Sequence, residues 1–425
     1  MIVVRKFDDG FRADLPVRLY IKLFSANNYC YSIISDKAMI DIFPRRELAA
    51  DMARQLLKPS ALDIGLRSGL FFSGLRRTGK TTFLKNDLIP ALEEMGALVI
   101  YVDLWSDTQT SPVVLVLAAV RKALADLQKP TSAFLQKLKA LRGAEVEVAG
   151  LKFGFNLETL GTEGGVTLAE ALTEVVDQAR TDVVLVVDEV QQAITTEDGQ
   201  QMMLALKAAR DAINPRPNTP GHFLFIGTGS HRAMVNELTA RRNQAFAGAT
   251  NVPYPVLDRD YVEFWLKRLA KDGLGNLPSL DVAAQAFKTL GSRPEEFIRA
   301  LRQLVHSPAS GMGPDEVLPV IASTLRSAAA DLELMKVEEL GVLAEAIFAR
   351  IASVEGDARG VFSNEAAAEY SKSVGREVRV EEIQPVANEL LAANLIMRRG
   401  HGLYGVTDPF VQEIWRERQE LLGRL

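Results

Sequence analysis

GLRRTGKTTF, residues 74–83, is the stretch on which the reading of this chain turns. It sets glycine at 74 and 79, lysine at 80 and threonine at 81, the spacing G-x-x-x-x-G-K-[ST]. Each fixed position has a chemical reason. Gly74 and Gly79 let the backbone turn its N–H groups toward a β-phosphate. Lys80 neutralises β- and γ-oxygens, in binding and in catalysis. Thr81 offers a hydroxyl to Mg²⁺. Arg77, Thr78 and Thr82 line the same loop and complete the expected nucleotide-binding set. The apolar run SGLFFSG (68–74) precedes the motif and a helical pattern (80–96) follows it, so a helix N-terminus faces the anion. ATP with Mg²⁺ is the expected ligand.

Outward from the loop, strands and helices alternate. The runs ALVIYVDLW (97–105), DVVLVVDEV (182–190) and HFLFIGTGS (222–230) read as buried strands, and NVPYPVL (251–257) as the final strand and exit of that domain. Helical patterns at about 111–127, 167–180 and 202–213 separate them. Strand–helix alternation predicts an α/β fold, a parallel sheet sandwiched by helices. GAEVEVAGLKFGFNLET (143–159) alternates around a glycine and predicts an inserted β-hairpin. After residue 257 the pattern is helical through about 335, an all-helical lid. From 336, helices lead to LIMRRGHGLYGVTDPF (395–410), two short strands around a turn, as in a winged helix. Residues 1–42 form an N-terminal extension to which the sequence assigns no role.

Asp188 and Glu189 close the strand VVLVVDEV, where ligands bind in parallel sheets. Asp188 is the candidate Mg²⁺ carboxylate, and Glu189 the residue that polarises an attacking water. Thr228 and Ser230 close the next strand; they either contact the γ-phosphate and water or cap the following helix. Asp103 is either a supporting acid or a strand-end turn. Arg241 and Arg242 are either exposed arginines or, through Arg242, a finger reaching a neighbouring subunit's γ-phosphate in a homo-oligomer. Arg293 either senses the nucleotide from the lid or caps a helix.

Composition narrows the classes. The 425 residues are 48% hydrophobic and 24% charged, ordinary for a multi-domain globular chain. A net charge of −5 gives the chain as a whole no general attraction for nucleic acid. One cysteine, Cys30, supports neither a disulfide nor a cysteine metal site. The histidines at 222, 231, 306 and 401 have no paired ligand spacing. No secretory signal and no run of about 20 apolar residues occurs, so a cytoplasmic protein without a membrane span is expected.

Together, FFSGLRRTGKTTFL, VVLVVDEVQQ, FLFIGTGS, a helical region with GSRP and the C-terminal pattern resemble the AAA+/STAND class of P-loop ATPases. The closest resemblance is to the prokaryotic "archaeal ATPase" family, related to replication-initiator ATPases. FPRRELAADMARQL (43–56) is similar to that family's opening segment, with Pro44 where glycine is usual, and LYGVTDPFVQEIWR (403–416) to its ending. The resemblance spans residues 43–425. It implies Walker A at Gly74, Gly79, Lys80 and Thr81, Walker B at Asp188 and Glu189, and sensor 1 at Thr228 or Ser230. Gly291-Ser-Arg-Pro294 implies either a G-x-P variant or Arg293 as sensor 2.

Two functions follow as expectations. One is a nucleotide-gated switch that binds duplex DNA through the winged helix, with Arg398, Arg399 and His401 on the wing. The other is a signalling or regulatory ATPase, in stress response or defence, whose winged helix contacts protein. Residues 341–425 hold ten lysines and arginines against thirteen aspartates and glutamates, a balance that weakens phosphate attraction.

Overall fold

The computed structural model describes residues 42–423 except 108, 143–149, 241–243, 307–310 and 401. The N-terminal extension therefore lies outside it, and Phe43–Leu425 make one compact unit.

Apolar alternation builds the centre. Strands β1 (Leu70–Ser73), β2 (Leu98–Asp103), β3 (Val183–Asp188), β4 (Phe223–Gly229) and β5 (Thr250–Pro253) form one sheet in the order β2-β3-β4-β1-β5. Every pairing is parallel. Side chains on β3 alternate between two cores: Val183, Leu185 and Val187 face one, Val184 and Val186 the other. Both faces of β3 are thus covered, which is why it is apolar up to Asp188, whereas the edge strand β5 is only partly buried.

On one face lie α1 (Arg46–Leu57) and the helical stretch after the loop. That stretch runs as α2 (Lys80–Phe83), a π-turn (Leu84–Leu88) and α3 (Ile89–Glu94). On the other face lie α4 (Pro112–Leu127), α5 (Ala133–Arg142), α6 (Leu168–Ala179), the short α7 (Gln191–Ile194), α8 (Glu197–Ile213) and α9 (Arg232–Ala240). Caps set several starts. Thr167 and Glu170 form a capping box before α6, and the Thr196 side chain caps α8.

The inserted hairpin is corrected. Residues 143–149 lie outside the described residues, and 150–159 contain no strand, only coil and a 3₁₀ turn at Leu157–Thr159. Its backbone groups bond elsewhere. Leu151 N donates to the Leu127 carbonyl at 2.8 Å, and Gly154 N to Glu174 Oε1 at 2.7 Å. Gln178 Nε2 donates to the Lys152 carbonyl at 2.8 Å. Phe153 and Phe155 stack on each other and pack against the main core. With its backbone already satisfied by helix ends and side chains, the segment has no use for a ladder.

The remaining residues are mostly helical, around two further cores. Helices α10 (Arg259–Lys271), α11 (Leu280–Thr289), α12 (Pro294–His306) and the first half of α13 (Pro314–Glu339) enclose an aromatic cluster of Tyr261, Phe287 and Phe297. Helix α13 then continues into the last core, where Val337 joins α14 (Val342–Ala352), α15 (Asn364–Val374) and α16 (Val380–Ala392). Strands β6 (Ile396–Gly400) and β7 (Leu403–Val406) pair antiparallel, and Ala358 bridges to Tyr404. Helix α17 (Pro409–Leu421) closes the chain against α13. Among the described residues no helix is long and apolar enough to cross a membrane.

Candidate functional site

The carboxyl ends of β1, β3 and β4 converge on one place. The loop after β1 turns back through Gly79, whose φ of 90° lies in the left-handed region that favours glycine. Thr78 Oγ1 donates to the Leu75 carbonyl at 2.9 Å, tightening the turn. Lys80 is buried at 6% exposure, and its Nζ donates to the carbonyls of Gly74 (3.0 Å) and Leu75 (2.6 Å). Burial holds the Lys80 ammonium below the usual lysine range; Glu189 and Asp188 oppose that shift, and the Arg76 guanidinium adds to it.

Asp188 sits at the centre, 1% exposed. Its Oδ2 accepts from Thr81 Oγ1 at 2.6 Å and from the Tyr101 hydroxyl at 3.1 Å; its Oδ1 accepts from Thr228 Oγ1. Three hydroxyls, from the loop helix and the two flanking strands, hold one carboxylate. Glu189 stands beside it with φ at 56°, a left-handed turn at the strand end. Its Oε2 accepts from Ser230 Oγ (2.7 Å), from Ser230 N (3.2 Å) and from Gln191 Nε2. Arg76 Nε reaches Ser230 Oγ at 3.3 Å, and its guanidinium lies 4.8 Å from the Trp105 ring centre.

A hydroxyl and a carboxylate oxygen in contact at a loop of this kind form a hard donor pair. Mg²⁺ takes one or two protein oxygens of that sort and fills its other positions with phosphate and water. Thr81 and Asp188 fit the ion. Among the described residues no cluster of three His, Cys, Asp or Glu side chains offers an all-protein site.

No protein-family model matches the chain. No curated protein matches it in sequence. Among solved structures, the Walker-type ATPase of Pyrococcus abyssi superposes with a TM-score of 0.54 at 17% identity, over 91% of this chain and 99% of that one. The chain has that Walker-type ATPase fold. The ORC2 protein of Aeropyrum pernix in its ADP form gives 0.49 at 13% identity, over 88% of this chain and 94% of that one. Cdc6p from Pyrobaculum aerophilum gives 0.37 at 14%, over 89% and 96%.

Within the Walker-type fold, the sequence-predicted residues divide. Gly74, Thr78, Gly79, Lys80, Thr81, Asp188, Glu189, Thr228 and Ser230 are brought together. Thr82 is exposed, and its carbonyl accepts from Asn86 Nδ2. Arg77 turns out of the loop with φ at 63° and pairs with Glu295 (3.4 Å) and Glu296 (3.3 Å) at the start of α12. Arg293 points to the C-terminal helices, pairing with Asp408 at the N-cap of α17, both largely buried. Asp103 is a turn acid: its Oδ1 accepts from Trp105 N at 2.9 Å. Arg241, Arg242 and His401 lie outside the described residues.

Sequence reasoning missed Tyr101, Gln191, Arg76 and Tyr254. Tyr101 carried a signal: it lies two residues before Asp103, on the same side of a strand running toward the site. Tyr254 closes the back of the loop, its hydroxyl donating to the Gly79 carbonyl at 3.2 Å and accepting from Arg45 Nη1 at 3.0 Å. Burial pushes that phenol up to about 12.

Proposed function

We propose that this chain binds and hydrolyses ATP and uses the cycle as a conformational switch. One observation carries the reading: Thr81, Asp188 and Glu189 meet beside a lysine-bearing phosphate loop. In this reading the loop N–H groups and Lys80 hold the β- and γ-phosphates, and Thr81 and Asp188 hold Mg²⁺. Mg²⁺, when bound, offsets charge on the phosphate oxygens. Glu189 orients the attacking water and takes its proton, with Thr228 and Ser230 beside it. Ser230 and Gln191 bind the same carboxylate oxygen, so Glu189 is active only once it leaves them.

The switch reading rests on ties that leave the site. Arg77 runs from the loop to Glu295 and Glu296 on α12. His231, next to Ser230, has Nε2 2.9 Å from the Leu391 carbonyl at the end of α16. Arg293 joins the start of α12 to Asp408. A phosphate that moves the loop or the Ser230 turn therefore pulls on both helical regions. We assign residues 43–257 to the ATPase core, 258–335 to a lid and 336–425 to a winged-helix unit. The α14–α15–α16–β6–β7 order, with the Ala358–Tyr404 bridge, supports that last assignment.

We favour a protein partner for this unit over duplex DNA. Helix α16, which would enter a major groove, carries Glu381, Glu382 and Glu389 and no lysine or arginine. Arg398 is occupied by Glu237 (3.6 Å) and the Tyr404 hydroxyl, Arg399 by Asp357 (3.3 Å). The test is binding of a fluorescent ATP analogue and phosphate release by the wild type, Lys80→Ala and Glu189→Gln, with duplex DNA titrated across a salt series. Binding lost in the first variant, and turnover alone lost in the second, are expected. Unimpaired binding by Lys80→Ala refutes the site; ATP-dependent, salt-sensitive DNA binding restores the DNA reading.

A further inference from the structure

Arg76 is a cation that the proposed hydrolysis has not used. It occupies a variable position of the phosphate loop, yet it does not simply extend into solvent. Its Nε donates to Ser230 Oγ at 3.3 Å, and that hydroxyl donates to Glu189 Oε2 at 2.7 Å. The guanidinium is thus one hydroxyl away from the candidate water-activating carboxylate. Its plane is braced by Trp105, 46% exposed, with 4.8 Å from Cζ to the ring centre. Among the described residues, Nη1 and Nη2 make no hydrogen bond. A guanidinium fixed through Nε and a ring face, with both terminal nitrogens free to donate, is prepared to bind an anionic oxygen.

The place where that oxygen would sit follows from the neighbours. Lys80, Glu189 and Ser230 surround the end of the loop that would receive the terminal phosphoryl group. Arg77, the next residue, points the other way, to Glu295 and Glu296. Two adjacent arginines therefore divide their work, one toward the sensor strand β4 and one toward α12.

We propose that Arg76 supplies, from within the same chain, the cation that stabilises charge on the transferring γ-phosphoryl oxygens. Such a cation can come from the same chain or be lent by a neighbouring molecule. The step itself is ordinary hydrolysis. Water oxygen bonds to the γ-phosphorus, the bond to the β,γ-bridging oxygen breaks, and ADP leaves with that electron pair. The water proton passes to Glu189. Arg76 donates to the equatorial oxygens throughout and is unchanged at the end. No subunit contact is needed, so turnover per molecule is independent of protein concentration.

This proposal rests on the ATPase reading, and the test separates the two. Single-turnover ATP hydrolysis and ADP affinity are measured for the wild type, Arg76→Ala, Arg76→Lys and Lys80→Ala. Arg76→Ala is also mixed with Glu189→Gln. Arg76 is exposed and outside the apolar cores, so its replacement is expected to leave the fold intact, which the ADP affinity checks. The expected result is a loss of about a thousandfold in rate for Arg76→Ala. Arg76→Lys should recover part of it, ADP affinity should stay within a few-fold, and the mixture should not recover. Wild-type rates in Arg76→Ala overturn the proposal. So does recovery in the mixture, because Glu189→Gln would then be lending its arginine in trans. Equal loss of ADP affinity and rate overturns it too, making Arg76 a brace for the loop. Lys80→Ala that still binds ATP refutes the site itself, and a wild type without turnover removes both readings.

Discussion

Lys80 illustrates how a single side chain sets stability against binding. Its ammonium is buried, and burial disfavours the charged form. The folded-state value lies below the ordinary 10.5, so the folded chain holds a lysine it would rather see neutral. The penalty is full at pH values below the depressed value and shrinks as pH rises through it toward 10.5. Lys80→Met should therefore melt at or above the wild-type temperature at neutral pH while losing nucleotide binding. The gap should close as pH is raised, which calorimetry across a pH series will check. Tyr101 gives a second test at this scale. It donates to the same Asp188 oxygen that accepts from Thr81, so it fixes how the carboxylate presents itself to a metal ion. Tyr101→Phe should raise the Mg²⁺ concentration for half-maximal turnover by about tenfold, with little change in metal-free ADP binding. An unchanged Mg²⁺ requirement would remove Tyr101 from the site.

Elements carry the next constraint. The turn between α11 and α12 passes through Gly291 with φ at 72°, and a Cβ built there would stand 2.8 Å from the Phe410 ring on α17. The turn thus demands both a left-handed backbone and a bare face against a helix more than a hundred residues on. Gly291→Ala should cost about 1–3 kcal/mol in backbone strain alone. It should also displace α17, read as a lower melting temperature together with faster proteolysis near residue 410. If only the strain is felt, proteolysis will be unchanged and the α17 contact is loose. Residues 150–159 make the opposite point. Alternation there predicted strand, but Leu127, Glu174 and Gln178 lie on helices whose ends and side chains take up the backbone groups first, and the two phenylalanines pack against the main core as a pair. Alternation reports which side chains turn inward; it does not supply a partner strand.

At the scale of the whole molecule, the C-terminal region is held by polar ties to the turn before α12 and to the start and body of α9 beside the sheet. These are Arg293 with Asp408, Arg398 with Glu237, and His231 with the Leu391 carbonyl. The first is the more buried of the two ion pairs, and its loss leaves a charge without its partner. Arg293→Ala should loosen the arrangement and make the chain more open in solution scattering, whereas Asp408→Asn, which keeps a hydrogen-bond acceptor, should do less. Equal compactness of wild type and Arg293→Ala would show that the α13–α17 contact, with its Arg326–Glu413 and Arg418–Asp331 pairs, holds the region without that tie. If ATP binding works through Arg77 and Ser230, the wild type should also open or close between its ATP and ADP forms. Arg77→Ala should then uncouple that change from nucleotide binding.

The glycine–lysine–threonine loop after β1, the apolar strands and the acidic pair at the end of β3 were all legible in the sequence. Each is a local pattern whose spacing alone fixes its geometry: glycine where the backbone must turn left-handed, lysine and threonine at the first two positions of a helix, alternating cores along a strand buried on both faces. What surrounds them was decided by tertiary structure. Tyr101 reaches Asp188 because β2 and β3 pair in a register that sets Asp103 beside Asp188. Ser230 closes on Glu189 because β4 lies next to β3, and Arg293 turns to Asp408 because α17 packs back across the turn before α12. A buried carboxylate or guanidinium takes whichever complementary group the packing brings within about 3 Å. Its partner can stand forty or a hundred residues away, a separation that leaves no period in the sequence to read.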